Sequence, residues 1–409
     1  DAVLVLKQCT KKYPMLYYYA AYYEEKMGED EAAKKSLEKA ESCAFDYCFP
    51  NKLDDIAVLT FAIENGCKKK APYYLGNLFY DKLQWKKSVE LWEMSEKADD
   101  TFSIVHRNLA LAYYNKMGDS KAAKRELEKA FSLNRKDARI FLELDQLYKK
   151  LGYSFKERLA KYDEDPSLAE SRDDLYIEYI TLMNMCGEYE RAYRCIMGRR
   201  FHPWEGGEGK ITTQYTISLL EMAKQCLASE KYEQAEKLLK KALVYPENLG
   251  EGKLEGTKDN HLFYHLGLAL EAQGKHDEAK TCFETATIGT DEPAGAMYYN
   301  DQPADMILYQ GLAFEKLGKT REAKSRFYRL IDYGEQHLND EGKIEYFAVS
   351  LPDFLIFDED YTKKNRAHCC YLMALGNIGL QNREKAAEFL NEALEIEPSH
   401  MMATLYQKQ

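Results

Sequence analysis

"LFYHLGLALEAQGKHDEAKTCFETA" (262–286) decides the fold. Its apolar residues recur every three to four positions on both sides of Gly274, the period of two amphipathic helices joined by a turn. The first helix sets a small residue behind a larger one, Leu266-Gly267. The second carries Ala279, then Phe283 four later and Ala286 three after that. Small residues let the two helices approach closely, and the aromatic fills the gap to the next pair. One such pair cannot bury its own apolar face, so neighbours must stack.

The same arrangement returns in "ILYQGLAFEKLGKTREAKSRFYRLI" (307–331), with Gln310-Gly311, a turn at Gly318 and Ala323/Phe327/Leu330. It returns in "YYLGNLFYDKLQWKKSVELWEMSEKA" (73–98), with Leu75-Gly76 and Ser88/Trp92/Ser95. This resembles the tetratricopeptide repeat, whose period is about 34 residues. Further units close at Ala33/Leu37/Ala40, Ala123/Leu127/Ala130, Ala192/Ile196, Ala235/Leu239/Ala242 and Ala386/Leu390/Ala393. A degenerate unit spans roughly 137–162. The expected fold is all-α: a tetratricopeptide-like helical repeat solenoid of about nine units, an α–α superhelix. It divides at 1–165, which includes an extra helix near 52–65, and 166–409, as one continuous array.

Spacing between equivalent small residues separates the halves. Ala123 to Ala192 is 69 residues, two plain repeats; Ala192 to Ala235 is 43, the next two steps are 44 each, and Ala323 to Ala386 is 63. Four long insertions follow, each after a second helix and before the next first helix: 201–214, 245–260, 288–305 and 333–365. Equivalent loops of stacked repeats emerge on one edge, so these four form one expected neighbourhood. Long ordered loops are commonly functional.

Their residues suit recognition. Trp204, Tyr298, Tyr299, Phe347 and Phe354 offer ring faces for stacking against a sugar or against each other as small satellite cores. Arg200, His202, Glu205, Glu208, Lys210, Asn248, Glu251, Lys253, Asn300, Asp301, Gln302 and Asp353 supply hydrogen-bonding groups. Glu205, Glu208, Glu251 and Asp301 are the candidate carboxylates for glycoside chemistry, which needs two of them across one bond. The tetrapeptide GEGK occurs twice, at 207–210 and 250–253. It is no phosphate loop: Ile211 and Leu254 stand where Ser or Thr would be needed, and no strand precedes either copy.

Other chemistry is not signalled. Net charge is -11 and no basic stretch marks a nucleic-acid face. No apolar run is long enough for a membrane span. His261 and His265 have the spacing of a metal pair but no third ligand, so neither metal nor cofactor is expected. Ten scattered cysteines, including the adjacent Cys369 and Cys370, form no paired knuckle and read as the reduced core of a cytoplasmic protein.

The loops "FHPWEGGEG", "YPENLGEGKLEG", "EPAGAMYYNDQPADMILYQGLA" and "YFAVSLPDFLIFDEDYTKKNRAHC" carry a second resemblance. They are similar to the C-terminal repeat region of bacterial proteins of the domain-of-unknown-function 5107 family, specifically over 170–409 and loosely elsewhere. The resemblance implies a β-sandwich domain N-terminal to the repeats and a role in carbohydrate metabolism, and it fits a chain that opens "DAVLVLKQCT". The expected function is a non-catalytic scaffold holding that missing domain, a protein partner or a glycan against the loop edge. The alternative is that the loops complete a glycoside-processing site shared with the missing domain. A third reading uses a concave groove rich in tyrosine, with Tyr74 and Tyr113 among its lining.

Overall fold

The computed structural model describes residues 2–204, 206–295, 302–342 and 356–408. Among these it contains 22 α-helices and no strand. The described residues form two compact units: 1–147 with 356–358, and 148–355 with 359–409.

The first unit holds α1 (Ala2–Gln8), α2 (Pro14–Lys26), α3 (Asp30–Ser42), α4 (Leu53–Glu64), α5 (Lys70–Asp81), α6 (Trp85–Ala98), α7 (Ser103–Ala112) and α8 (Ser120–Leu133). Helix α4 stands between the pairs α2/α3 and α5/α6. The division falls within α9 (Ala138–Lys150), in the segment read as a degenerate repeat. Pairs α2/α3, α5/α6 and α7/α8 pack antiparallel. Trp92 of α6 lies over Gly76 of α5, where an added Cβ would stand 2.5 Å from its Nε1. Its indole donates to the Asn77 side chain at 3.1 Å and the Tyr73 carbonyl at 3.3 Å, so the buried N–H is satisfied. Tyr74 is not a groove residue: it is fully buried, edge-on to Tyr18, because the aromatic step before Leu75-Gly76 faces the core.

After α7 the chain widens into a π-turn, Tyr113–Met117, a form often found at functional positions. Tyr113 donates to Glu93 at 2.8 Å. Asn115 exchanges two hydrogen bonds with the distant segment Ile356–Asp358, donating to the Ile356 carbonyl and accepting from the Asp358 N–H. Phe357 is buried edge-on to Tyr114, centroids 4.9 Å apart. Three residues of the fourth insertion therefore belong to the first unit.

The second unit holds α10 (Phe155–Asp163), α11 (Pro166–Glu170), α12 (Asp173–Met185), α13 (Tyr189–Met197), α14 (Lys210–Ala228), α15 (Tyr232–Ala242), α16 (Asn260–Ala272) and α17 (His276–Ala286). It continues with α18 (Met306–Lys316), α19 (Thr320–His337), α20 (Tyr361–Gly379), α21 (Arg383–Ile396) and α22 (Met401–Gln407). Five pairs run from α12/α13 to α20/α21. Phe283 packs on Gly267, and Phe327 sits in a slot between Gly311 of α18 and Gly379 of α20. Burying such a ring contributes about 2–3 kcal/mol.

Each pair in both units turns through one left-handed residue. Glycine supplies it at positions such as Gly274 (φ 76°) and Gly318 (φ 74°), while Leu83, Glu230 and Gln381 hold the same conformation without it. Cys369 and Cys370 are both fully buried. No helix among the described residues is long and apolar enough to cross a membrane.

Candidate functional site

Long connections run between α13 and α14, α15 and α16, α17 and α18, and α19 and α20. The first two are laced together. Phe201 N–H donates to the Asn248 carbonyl at 2.8 Å, and the Asn248 amide returns bonds to the carbonyls of Ile196 and Arg199 at 2.8 and 2.9 Å. Gly250 lies against the Phe201 carbonyl and Pro203, so close that an added Cβ would be 2.5 Å from that oxygen. The two GEGK copies meet as well: Glu251 of the second accepts from the Gly209 N–H of the first at 2.9 Å.

This fixes where most of the predicted loop residues stand. Trp204 covers Gly207 and has the Lys210 ammonium 5.6 Å from its ring. Glu208 accepts from the Gly206 N–H. His202 is bonded to Asp173 through its N–H at 2.8 Å, beside Arg199, which ion-pairs with the same carboxylate and stacks on Tyr176. Arg200 is exposed. Lys253 pairs with Asp259 at 2.5 Å and lies over Tyr245. Burial raises the pKa of Glu251; the Gly209 N–H bond opposes it, and the charge of Glu208 adds a smaller upward push. Gln302 is buried and grips Thr290, accepting from its N–H at 2.9 Å and donating to its carbonyl at 2.6 Å. Glu205, Tyr298, Tyr299, Asn300, Asp301, Phe347, Asp353 and Phe354 lie outside the described residues.

A device unseen in the sequence fastens three insertions. Helix C-terminal carbonyls lack intrahelical donors. Asn248 supplies them at the end of α13, Asn260 at the end of α17 (Ala286 and Ile288 carbonyls, 2.7 and 2.9 Å) and Asn365 at the end of α19 (His337 carbonyl, 2.7 Å). Asn248 comes from the second insertion, Asn260 from α16, the first helix of the same pair, and Asn365 from α20, the next first helix.

A concavity lies on the first-helix face of the second unit. Helix α22 crosses this face: Met401 meets Gln214 of α14 at 3.4 Å, and Tyr406 donates to the Tyr309 hydroxyl of α18 at 2.7 Å. Lys408 bonds to the Met185 carbonyl at the end of α12, and the Tyr371 ring of α20 lies 6.0 Å from that of Tyr406. Helix α22 is capped by His400, whose Nδ1 accepts from the Ala403 N–H at 3.1 Å. Burial depresses that imidazole to about 4, which keeps Nδ1 a lone-pair acceptor.

Behind α22 is a cavity of about 300 Å³. Ile217, Leu220, Met306, Met402 and Leu405 give it apolar walls, and Asp305, Tyr309, His261 and Thr213 reach it with polar groups. His261 and His265 do not converge on one point: His265 Nδ1 bonds to the His261 carbonyl at 2.7 Å, while the buried His261 Nδ1 has no partner. Burial depresses both, to about 3 and about 4.

One cluster in the first unit has metal-like spacing, with ligand atoms of Glu96, His106 and Glu126 within 4.8 Å of one another. Both ring nitrogens of His106 are already engaged, Nδ1 with Glu126 at 2.8 Å and Nε2 with the Asp100 carbonyl at 2.8 Å. That is the geometry of an imidazolium held between acceptors. Burial alone would lower its pKa, but the bonds to Glu126 and Asp100 and the charges of Glu126 and Glu96 outweigh it and raise it.

Comparison with known proteins agrees with the helix pairs. One tetratricopeptide-repeat family model matches residues 108–137, 261–287 and 367–400, and a second matches 305–333. Among solved structures, the chain is similar to YrrB, described as a TPR protein with an unusual peptide-binding site, at 18% identity and TM-score 0.22 over 63% of this chain and 100% of that one. It is also similar to Naa15/Naa10 bound to HypK-THB, at 13% identity and TM-score 0.35 over 99% of this chain and 56% of that one. The chain thus carries tetratricopeptide repeats on an all-helical fold.

Proposed function

We propose that this chain is a protein-binding scaffold and that the first-helix face of its second unit takes an amphipathic segment of a partner. The observation that carries this reading is α22, a short helix of the chain itself laid across α12, α14, α18 and α20 through Met401, Tyr406 and Lys408. Helix-in-groove recognition uses such apolar anchors on one helical face, and an open cavity persists beside it. A photo-crosslinking residue at Thr213, an exposed residue on the cavity lining, should capture a partner that the same residue at Glu278, exposed and outside that lining, does not. Equal capture from both positions would overturn the reading.

The loop edge supports a second reading, in which Glu208 and Glu251 serve a glycoside-processing site shared with a further domain. Its specific support is the pair's electrostatics: two neighbouring carboxyls, one of them raised by burial and by the other's charge. Here the carbohydrate setting follows the similarity of the loops to the domain-of-unknown-function 5107 family. Glu208→Gln in the full-length protein should then abolish sugar turnover, and full activity would reject it.

A further inference from the structure

Asp305 is 7% exposed and lines the cavity behind α22. No charged group meets its carboxylate, which has only its own backbone N–H and a long contact, 3.5 Å, from the Tyr371 hydroxyl. Buried carboxylates are ordinarily paired or coordinated. Among the described residues no lysine or arginine pairs with this one. The other carboxylates on the cavity wall are matched: Glu221 with Lys224 at 2.8 Å, and Asp259 with Lys253 at 2.5 Å. Burial raises the Asp305 carboxyl to about 6, and no cation acts to lower it.

The cavity wall also carries Lys224, held by Glu221, and Lys258, so its three carboxylates outnumber its two ammonium groups by one. Tyr309 and Tyr406 line the same space, and electron-rich rings attract cations. Met306, Ile217 and Leu220 offer apolar wall for a methylene stem. A volume of about 300 Å³ is at the small end of ligand sites, enough for a lysine-sized group.

We infer that this cavity binds an organic cation, an alkylammonium or guanidinium group whose charge pairs with Asp305 and whose stem lies along Met306, Ile217 and Leu220. The cation is carried either on a lysine or arginine of the partner segment or on a free amine. The first source rests on the peptide-binding reading above; the second does not.

The test is calorimetric titration at pH 8 of the whole chain with two probes: butylammonium, and a blocked Ala-Leu-Lys-Leu-Ala peptide with its glutamate counterpart. The wild type should bind at least one lysine-like probe and not the glutamate peptide. Asp305→Asn should weaken that binding at least 10-fold, while Glu278→Gln, which removes an exposed charge outside the cavity lining, should leave it within about 2-fold. Binding of both cationic probes indicates that the amine alone suffices; binding of the peptide only ties the site to a partner. Failure of both probes, or equal affinity in Asp305→Asn, overturns the inference. Thr213 crosslinking is unaffected by that failure, so the scaffold reading is judged separately. Thermal melts of Asp305→Asn establish that any loss is not unfolding.

Discussion

Replacing Gly311 by alanine measures how tightly the repeats interlock. The new methyl would lie 2.2 Å from Phe327 Cε1, whereas carbon atoms in contact prefer about 3.5–4.0 Å. The ring has little room to yield, since a Cβ at Gly379 of α20 would be only 2.1 Å from Cδ1. Phe327 is itself fully buried. Overpacking of this kind costs about 1–3 kcal/mol, and a ring pinned from both sides points to the upper end. Alanine regains about 1 kcal/mol of helix propensity over glycine. The net is a loss of roughly 2 kcal/mol, or about 4–8 °C in Tm for a unit of this size. Circular-dichroism melts would read it. Phe327→Leu should restore about 1 kcal/mol in the double mutant, giving a clear coupling term. A rise in Tm for Gly311→Ala, or strict additivity with Phe327→Leu, would refute the slot.

Three further outcomes follow from the described contacts. Asp305 has a folded pKa of about 6 against an ordinary 3.8, so its burial costs stability that grows as pH rises above about 4 and is complete above about 6. Asp305→Asn should therefore stabilise the chain by up to ~3 kcal/mol at pH 8 and by nothing below pH 4, as urea titrations at the two pH values would show. The raised pKa of His106 has the opposite sign: its stabilisation is fully present below about 6.5 and is lost as pH rises through the folded value. Glu126→Gln should flatten that decline, and an unchanged slope between pH 6 and 8 would rule out the ion pair as its source. Asn248→Ala should cost about 1–3 kcal/mol by orphaning two carbonyls and should speed hydrogen exchange at the Phe201 amide, with exchange at Leu375 in α20 as the internal standard.

The repeat pairs were legible because their chemistry is local. A small residue and an aromatic at fixed spacing, as in Ala279/Phe283 or Ala323/Phe327, state both the period and the packing. The insertions were legible for the same reason, as excess length between landmarks. The turns at Leu83, Glu230 and Gln381 were not, since no glycine marks the left-handed residue there. Tyr74 misled because an aromatic at a first-helix position reads alike whether it faces a groove or a neighbouring Tyr18. Asn248 and Glu251 stood out by type, yet residue type cannot distinguish a group that braces two loops from one that meets a ligand. The cavity was invisible: it needs Thr213, Asp305 and Leu405 brought together from three distant stretches. Helix α22, seven residues after a proline and a histidine, carries too little periodicity to announce itself.

The return of Ile356–Asp358 to the first unit has a consequence for synthesis. Domains generally fold as they emerge, N-terminal first, at about 5–20 residues per second. The first unit, otherwise complete at Leu147, must wait roughly 10–40 s at that pace for Phe357 to reach Tyr114. Throughout that interval the Tyr114 ring lacks its contact with Phe357, and Asn115 lacks its two bonds to Ile356 and Asp358. A nascent chain stalled before residue 356 should bind chaperones there, and one released past residue 358 should not.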